Sequence, residues 1–321
     1  MTIEEIKAKD LAPDVFIEEQ VTRVKEAVGN GTAITAISGG VDSSVVTVLG
    51  HRALGKALKP YFVENGIMRK DEARDVSEIF AGLGIEIIVV NAADEFFAAL
   101  EGVTDPEQKR EAVTQTFYRD VFARLVRESG ARYLLQGTIL TDVDETAAGI
   151  KRQHNVFEQI GIDPEKTFGY KILEPVIQLR KDGVRKVAQA VGLPESIYAR
   201  PPFPGPALAA RVIGAVDREK IALVREATAI VEEELAASGA FQYMAILHED
   251  RLTGMREGKR QFGRQIELRC WDSVDARSAS PTELPFATLR RVARRLTSEL
   301  PEVVSVTYNI ASKPPSTMEA V

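Results

Sequence analysis

The sequence predicts an α/β protein, in which a parallel sheet covered by helices is followed by a smaller α+β domain. Three observations predict this fold class: apolar runs that alternate with helical segments, a proline-rich break, and a different order of elements after it. The apolar runs are "TAITAIS" at 32–38, "KPYFVENG" at 59–66, "GIEIIVVNA" at 84–92 and "ARYLLQGT" at 131–138. Each has the length of a buried strand, so we expect a parallel sheet with both faces covered.

Helices are predicted around these strands, at 13–28, 43–55, 71–83 and 106–129. In the last of them Val113, Phe117, Val121 and Leu125 recur every four residues, which is typical of one apolar helix face. The first ends at the "GNG" that follows it, because glycine stops helices.

The proline-rich stretch "RPPFPGP" at 200–206 has four prolines and a glycine in seven positions. Proline removes a backbone donor and fits neither a helix interior nor a central strand. We therefore predict two domains, 1–199 and 200–321. In the second domain, helices are predicted at 217–238 and 285–300, and strands at 241–249, 264–271 and 302–310.

Charge and composition exclude several classes of protein. The net charge of −6 disfavours nucleic acid and anionic membranes as partners. The single cysteine, Cys270, rules out an internal disulfide, and no apolar run approaches the roughly 18 residues of a membrane span. The start "MTIEEIKAKD" has no apolar signal-peptide region. We expect a cytoplasmic protein that binds neither nucleic acid nor a membrane.

The stretch "SGGVDSS" joins the first predicted strand to a helix, the position at which α/β folds bind anions. The glycines let backbone N–H groups approach a phosphate, and the serines add hydroxyl donors. The acid would repel a bare phosphate, so it indicates a bridging Mg²⁺. This phosphate loop comprises Ser38, Gly39, Gly40, Val41, Asp42, Ser43 and Ser44. The alternative is a plain glycine turn in which Asp42 or Ser43 caps the helix.

The phosphate loop differs from G-x-x-x-x-G-K-[ST], which argues against transfer of a terminal phosphate. It resembles the pyrophosphate loop of the N-type ATP pyrophosphatases. That resemblance implies an adenine nucleotide alpha-hydrolase-like (Rossmann-like) domain that uses ATP and Mg²⁺, with Asp42 as the metal ligand, and cleaves ATP between the α- and β-phosphates. Such enzymes adenylate an oxygen and then let a nucleophile displace AMP.

Five further stretches resemble, in the same order, segments of the GMP synthase family. They are "FVENGIMRKDEA" at 62–73, "GVTDPEQKR" at 102–110, "QGTILTDVDET" at 136–146, "RPPFPGPALAARVIG" at 200–214 and "SKPPSTME" at 312–319. The resemblance implies ATP-dependent amination of xanthosine monophosphate (XMP) to GMP: the purine O2 is adenylated and ammonia displaces AMP. It also implies that the second domain completes the XMP site and forms a homodimer.

The same resemblance assigns residues to ATP. Lys109 would lie in a mobile lid and neutralise charge on departing pyrophosphate, while Lys181 and Asp182 would lie close to the phosphates. At the adenine and ribose it places the end of the second strand: Val63, Glu64 and Asn65. Periodicity by itself favours a different interpretation, in which both lysines are solvated charges at helix ends.

For XMP the resemblance assigns residues of the rigid turn, of one strand and of the C-terminal segment: Arg200, Pro204, Gly205, Gln242, Lys313, Thr317 and Glu319. Arg200 would meet the monophosphate or the sugar, and Gln242 would read the purine edge through its amide. The alternative for the C-terminal residues is an exposed tail. Two consecutive prolines after a predicted strand argue against that alternative.

Several positions depart from the family pattern. Pro201 stands in place of His or Gln, Ala207 in place of a glycine, and Leu140 and Thr141 in place of an aromatic or Arg and Pro. These departures leave two alternatives open: a paralogue that adenylates another nucleotide or uses sulfur, and a non-catalytic nucleotide-binding subunit. Strand alternation puts Cys270, the candidate thiol, on a buried face, which favours a core cysteine.

The phosphate loop begins at residue 38, which leaves no room for the N-terminal glutaminase that GMP synthases commonly carry. We therefore expect ammonia from a separate glutamine amidotransferase subunit, as in the two-subunit arrangement of archaea, or from solution. Two histidines are weaker candidates. His154 matches a family His-Asn pair, and His248 in "HEDR" has neighbours of metal-ligand type but no spaced partner.

Overall fold

The computed structural model describes residues 3–147, 170–201, 203–273 and 278–320. The chain divides into two compact units. The first unit comprises Met1–Glu64, Asp71–Asn91 and Phe117–Arg200, and the second comprises Asn65–Lys70, Ala92–Thr116 and Pro201–Val321. The last change of unit falls within the proline-rich stretch, but two earlier segments also belong to the second unit. The functional domains 1–199 and 200–321 stay a prediction.

The first unit contains a five-stranded sheet in the order β3-β2-β1-β4-β5, with every neighbouring pair parallel. Its strands are β1 (Ala33–Ile37), β2 (Leu58–Glu64), β3 (Ile88–Asn91), β4 (Tyr133–Leu135) and β5 (Lys171–Leu173). Strand β1 is central, since Thr35 pairs with Pro60 of β2 and with Leu135 of β4. The predicted parallel α/β fold is confirmed, and β5 is a strand that the sequence did not indicate.

The helices that precede the proline-rich stretch are, in chain order, α1 (Pro13–Val28), α2 (Val41–Leu54), α3 (Glu72–Gly82), α4 (Ala93–Leu100), α5 (Pro106–Gln115), α6 (Ala123–Ser129), α7 (Leu140–Ala147), α8 (Lys181–Ala190) and α9 (Glu195–Tyr198). Helix α1 has proline in its first turn and ends at Gly29 with φ 56°, as the sequence predicts. None of the described helices is long and apolar enough to cross a membrane.

The continuous helix predicted at 106–129 is interrupted. A π-helix at Thr116–Phe122 separates α5 from α6. A strict spacing of four residues exceeds the roughly 3.6 residues of an α-helical turn, and the wider π-turn accommodates it. Val121 and Leu125 of the apolar series are buried despite the interruption.

Strand β3 also differs from its prediction. The sequence predicts a buried strand, whereas Ile88 and Val89 are 40% and 46% exposed. Among the described strands β3 pairs only with β2, so it lies at the edge of the sheet. An edge strand has fewer neighbours to cover its side chains, and apolar composition by itself does not distinguish it from a central one.

The second unit contains a four-stranded sheet built on a long antiparallel hairpin. Its strands are β6 (Gln242–Arg256), β7 (Lys259–Asp272), β8 (Ser280–Pro281) and β9 (Val303–Tyr308), and the helices of its last segment are α10 (Arg218–Leu235) and α11 (Phe286–Glu299). Strand β7 pairs antiparallel with β6 and β8 and parallel with β9. Met244, Ile246 and Trp271 belong to one hydrophobic cluster of this unit. The predicted α+β architecture is confirmed.

Two hydrogen bonds explain why residues 65–70, which directly follow β2, belong to the second unit. Leu208 donates its N–H to the carbonyl of Ile67 at 2.9 Å, and Arg225 Nε donates to the carbonyl of Met68 at 2.9 Å. Both partners come from far along the chain. A prediction that rests on local composition therefore had no signal for this change of unit.

Candidate active site

The phosphate loop lies between the end of β1 and the start of α2. Gly40 is the N-cap residue, and no side chain of the described residues caps the helix. The alternative in which Asp42 or Ser43 is the cap is therefore wrong. Ser43 closes the loop instead: its Oγ accepts a hydrogen bond from the N–H of Ser38 at 3.2 Å and donates to the carbonyl of Gly40 at 3.1 Å. This arrangement leaves a helix N-terminus of the kind that binds anions.

Asp42 has its two carboxylate oxygens in different situations. Oδ2 accepts a hydrogen bond from Lys181 Nζ at 2.6 Å, so the structure brings these two predicted residues together. Oδ1 is buried and has no hydrogen-bond donor among the described residues. A buried carboxylate oxygen without a donor is costly, and a hard cation fits it.

The donor set around Asp42 fits Mg²⁺ only in part. The described residues contain no group of three or more His, Cys, Asp and Glu side chains that could hold a metal ion. Mg²⁺ commonly takes one or two protein carboxylates and completes its coordination with water and phosphate oxygens. Asp42 Oδ1 suits that mode of binding, in which a nucleotide supplies the other ligands.

The other loop residues and Asp182 vary in their surroundings. Val41 is buried, and the fully buried Ser44 has an Oγ without a hydrogen-bond partner among the described residues. Gly39 has φ 75°, a conformation that favours glycine. Asp182 Oδ1 accepts the N–H of Gly183 in its own helix at 2.9 Å. Its predicted role beside the phosphates stays a prediction.

Gly137, two residues after β4, was missed by sequence reasoning. A β-carbon added there would lie 2.9 Å from the backbone N of Ser43 and 3.0 Å from the carbonyl carbon of Asp42. A larger residue would push that peptide away, so Gly137 helps to fix the start of α2. The available signal was topological: carboxyl ends of neighbouring parallel strands meet at one edge of a sheet.

The residues assigned to adenine and ribose lie where β2 ends. Val63 is buried, and Glu64 is the last residue of the strand. Asn65 is buried and its Oδ1 accepts the N–H of Ile67 at 3.0 Å, so its amide shapes the turn that follows. Contacts of these three residues with a nucleotide stay a prediction.

Lys109 lies on α5 in the second unit and is only 1% exposed. Its Nζ donates a hydrogen bond to the carbonyl of Val212 at 2.7 Å. Burial, followed by repulsion from Lys220, lowers the pKa of Lys109 to about 8. The interpretation of Lys109 as a solvated charge is therefore wrong, whereas Lys181, 47% exposed and paired with Asp42, remains partly solvated.

Gln242 and Glu319, both assigned to XMP, form a cluster with Arg211. Gln242 Nε2 donates to Glu319 Oε1 at 2.8 Å, and Arg211 Nε lies 3.6 Å from Glu319 Oε2. Arg211 is 1% exposed and stacks on the ring of Phe203. Its Nε and Nη1, and Glu319 Oε2, have no hydrogen-bond partner among the described residues. Buried polar atoms without partners are costly, so this Gln242–Glu319–Arg211 cluster fits a polar ligand.

The segment that carries Lys313, Thr317 and Glu319 is held in place. Lys313 forms a bridge with Ala279 through two backbone hydrogen bonds of 2.8 and 3.1 Å. Arg269 Nη1 donates to the carbonyl of Thr317 at 2.8 Å, and Thr317 Oγ1 donates to the carbonyl of Glu319 at 2.6 Å. The alternative of an exposed C-terminal tail is wrong for these residues.

The proline-rich turn separates two predicted XMP contacts. Pro204 accepts the N–H of Ala207 at 2.9 Å, and Gly205 lies exposed in the turn between them. Ala207 has φ 52° and is 1% exposed, so an alanine occupies a left-handed position that glycine would take without strain. Arg200 belongs to the first unit, where its guanidinium binds the carboxylate of Glu72.

Three weaker candidates resolve differently. Cys270 is buried, and burial raises the pKa of its thiol, which argues against a nucleophile. His248 Nε2 pairs with Glu267 Oε2 at 2.8 Å and belongs to no metal-ligand cluster of the described residues. His154 lies outside the described residues.

Two family models match the chain: NAD synthase over residues 15–127 and the GMP synthase C terminal domain over residues 229–320. The chain is 47% identical over 307 residues to the B-type subunit of glutamine-hydrolyzing GMP synthase from Pyrococcus furiosus, with 95% of this chain and 96% of that relative covered. The chain belongs to the family of B-type GMP synthase subunits. The resemblance inferred from the phosphate loop and the five further stretches is thereby confirmed.

Two further relatives show how this family is organised. The B-type GMP synthase subunit of Methanothermobacter thermautotrophicus is 44% identical, with 96% of this chain and 99% of the relative covered. The glutamine-hydrolyzing GMP synthase of Aeropyrum pernix is also 44% identical over 96% of this chain, but the match spans only 60% of that relative. A comparable sequence thus occurs both as a named subunit and as part of a longer chain.

Proposed function

We propose that the chain is a carbon–nitrogen ligase that makes GMP from XMP, ATP and ammonia. The xanthine O2 attacks the α-phosphorus of ATP and pyrophosphate leaves; ammonia then attacks C2 and AMP departs. Adenylation is needed because oxide is a poor leaving group and AMP a good one. The observation that carries the proposal is the phosphate loop with the unpartnered Oδ1 of Asp42, in a chain of this family.

The phosphate loop is the proposed site for the triphosphate of ATP. The backbone N–H groups at the start of α2 and the loop hydroxyls would bind phosphate oxygens, and Lys181 would add a positive charge beside Asp42. Asp42 Oδ1 would hold Mg²⁺, whose charge offsets that of the phosphates. Val63, Glu64 and Asn65 are proposed for adenine and ribose.

The Gln242–Glu319–Arg211 cluster is the proposed site for XMP. Xanthine presents N–H donors and carbonyl acceptors, which match a carboxylate, an amide and a guanidinium. Lys313 and Thr317, on the same ordered segment as Glu319, are proposed for the monophosphate, and Pro204 and Gly205 for shaping the turn beside it. Lys109 is proposed to carry positive charge to the departing pyrophosphate.

Ammonia is proposed to come from a separate glutamine amidotransferase subunit. The relative in Aeropyrum pernix supports this, because this chain matches only part of a protein whose name includes glutamine hydrolysis. A homodimer through residues 200–321 is also proposed. The second unit exposes large apolar side chains, Met255, Phe262, Phe286 and Ile310 among them, of the kind that line protein interfaces. Light scattering of the purified chain tests this homodimer.

The reaction is tested by incubating the chain with ATP, Mg²⁺, XMP and ammonium and measuring every product. AMP, pyrophosphate and GMP should form in equal amounts, and omission of XMP should abolish them. ADP and phosphate, or products without XMP, would exclude the proposal. Replacing Cys270 by Ser should leave turnover unchanged; its loss would favour the alternative in which sulfur is the nucleophile.

A further inference from the structure

Glu72 and Arg200 form a bidentate ion pair in the first unit. Arg200 Nη1 donates to Glu72 Oε1 and Nη2 to Glu72 Oε2, each at 2.6 Å. The Glu72 side chain is 1% exposed and that of Arg200 is 25% exposed. Glu72 is the first residue of α3, where the positive end of the helix dipole also favours a carboxylate.

The pair lies directly against the phosphate loop. A β-carbon added to Gly39 would be 2.1 Å from Glu72 Oε1 and 3.4 Å from Arg200 Nη1. Glycine is therefore required at this position for two reasons, the positive φ and the closeness of the carboxylate. The same distances place a guanidinium beside the loop that holds the phosphates.

A buried ion pair is a weak source of stability, because desolvation of the two charges offsets their attraction. A carboxylate beside a triphosphate would also repel it. A guanidinium held by two parallel hydrogen bonds has a fixed orientation and matches phosphate geometry better than a lysine does. The arrangement is therefore better explained by positioning of the arginine than by stabilisation of the fold.

We propose that Arg200 binds the phosphates of ATP, and that Glu72 is a positioning residue that holds the guanidinium against the phosphate loop. The proposal rests on ATP as a substrate of the proposed function. It moves Arg200 from the XMP site, where the sequence placed it, to the ATP site. Neither Glu72 nor a phosphate role for Arg200 was indicated by the motifs.

The test is equilibrium binding, measured without turnover, of α,β-methylene ATP with Mg²⁺ and separately of XMP. Arg200→Lys keeps the charge that neutralises Glu72 but loses the bidentate geometry, and Glu72→Gln removes the carboxylate. Each should weaken binding of the ATP analogue by about tenfold or more and leave XMP binding within about twofold. Asp75→Asn is the matched control, since Asp75 lies on the same helix and is exposed.

The double variant Glu72→Gln/Arg200→Lys tests the positioning role. If Glu72 acts through Arg200, the double variant should bind the ATP analogue no more weakly than Arg200→Lys. Additive losses would overturn the positioning role. Weakened XMP binding with unchanged ATP-analogue binding would return Arg200 to the XMP site, and unchanged binding of both would leave the pair purely structural.

Two further readouts separate other causes of failure. Thermal melting identifies variants that do not fold, in which case Arg200→Lys, which preserves both charges, decides the question. If the wild-type chain makes no GMP, the proposed function fails, but the binding of the ATP analogue still confirms or overturns the role of Arg200.

Discussion

The phosphate loop and the Gln242–Glu319–Arg211 cluster are built in opposite ways. The loop is one continuous stretch of seven residues, held by backbone hydrogen bonds, a serine bridge and a glycine with positive φ. The cluster joins side chains more than one hundred positions apart in the chain, and its polar atoms are only partly satisfied. The first is a rigid cradle for charge, whereas the second selects one ligand by its pattern of donors and acceptors.

This difference predicts where each kind of substitution acts. Charges at the loop should affect the chemical step, because they act on a bond that breaks there. Charges in the cluster should affect recognition of XMP, because truncation leaves buried groups without partners.

The largest effect is expected for Asp42→Asn. Asparagine can still accept the hydrogen bond from Lys181 but binds a hard cation poorly, so the fold should persist while pyrophosphate release with XMP falls by about 10²–10³-fold. Steady-state rates over a range of Mg²⁺ concentrations measure it. Asp75→Asn, an exposed change on α3, should match the wild type. A rate within about threefold of the wild type would contradict the assignment of the chemical step to the loop.

A smaller effect, in a different parameter, is expected for Glu319→Gln. The substitution leaves the buried Arg211 without its counter-charge, so KM for XMP should rise by about 10–100-fold while KM for ATP stays unchanged. Glu302→Gln, on an exposed side chain, is the control. An equal rise in both KM values would remove the distinction between the two regions.

The same difference determines what could be predicted from the sequence. The phosphate loop was found because its function depends on neighbours in the chain: a strand before it, a helix after it and glycines between them. Its supports, Gly137 and Glu72, were missed because they reach the loop only through the fold. Arg211 was missed for the same reason, and Gln242 and Glu319 were found only through resemblance to a family.

The errors in the fold have a similar origin. Apolar composition identified β3 but could not place it at the edge of the sheet, because strand order depends on long-range pairing. Residues 65–70 join the second unit through hydrogen bonds to Leu208 and Arg225, which no local pattern reports. Elements with strong periodicity, α1 and α10 for example, were predicted well because their signal is local.

Lys109 offers a test in which activity and stability change in opposite directions. Its folded-state pKa of about 8 lies below the ordinary lysine value of 10.5. If the charged form serves the departing pyrophosphate, kcat/KM should fall about tenfold per pH unit above pH 8. The unfolded chain binds the proton more tightly, so the free energy of unfolding should rise between pH 8 and 10.5.

Two variants separate these effects of Lys109. Lys109→Arg, which stays charged, should remove the fall of kcat/KM above pH 8. Lys109→Gln should remove the rise in stability, measured by urea denaturation at each pH. A wild-type profile of kcat/KM that stays flat to about pH 10 would exclude a role for this charge in the free enzyme.

The smallest effect is expected for Ala207→Gly, which tests whether the turn before the cluster is strained. Alanine at φ 52° is in a left-handed conformation that costs about 1–2 kcal/mol, and glycine relieves it at the expense of greater freedom in the unfolded chain. The net gain in the free energy of unfolding should be about 0.5–1 kcal/mol, measured by urea denaturation.

Ala209→Gly is the matched control for position 207, because Ala209 is a neighbouring buried residue without a positive φ. Glycine there should destabilise the chain. If both changes destabilise equally, backbone conformation does not distinguish position 207, and the departure from the family glycine has no cost in the fold. If Ala207→Gly also lowers KM for XMP, the turn and the cluster act together in recognition, whereas the phosphate loop should bind the ATP analogue with unchanged affinity.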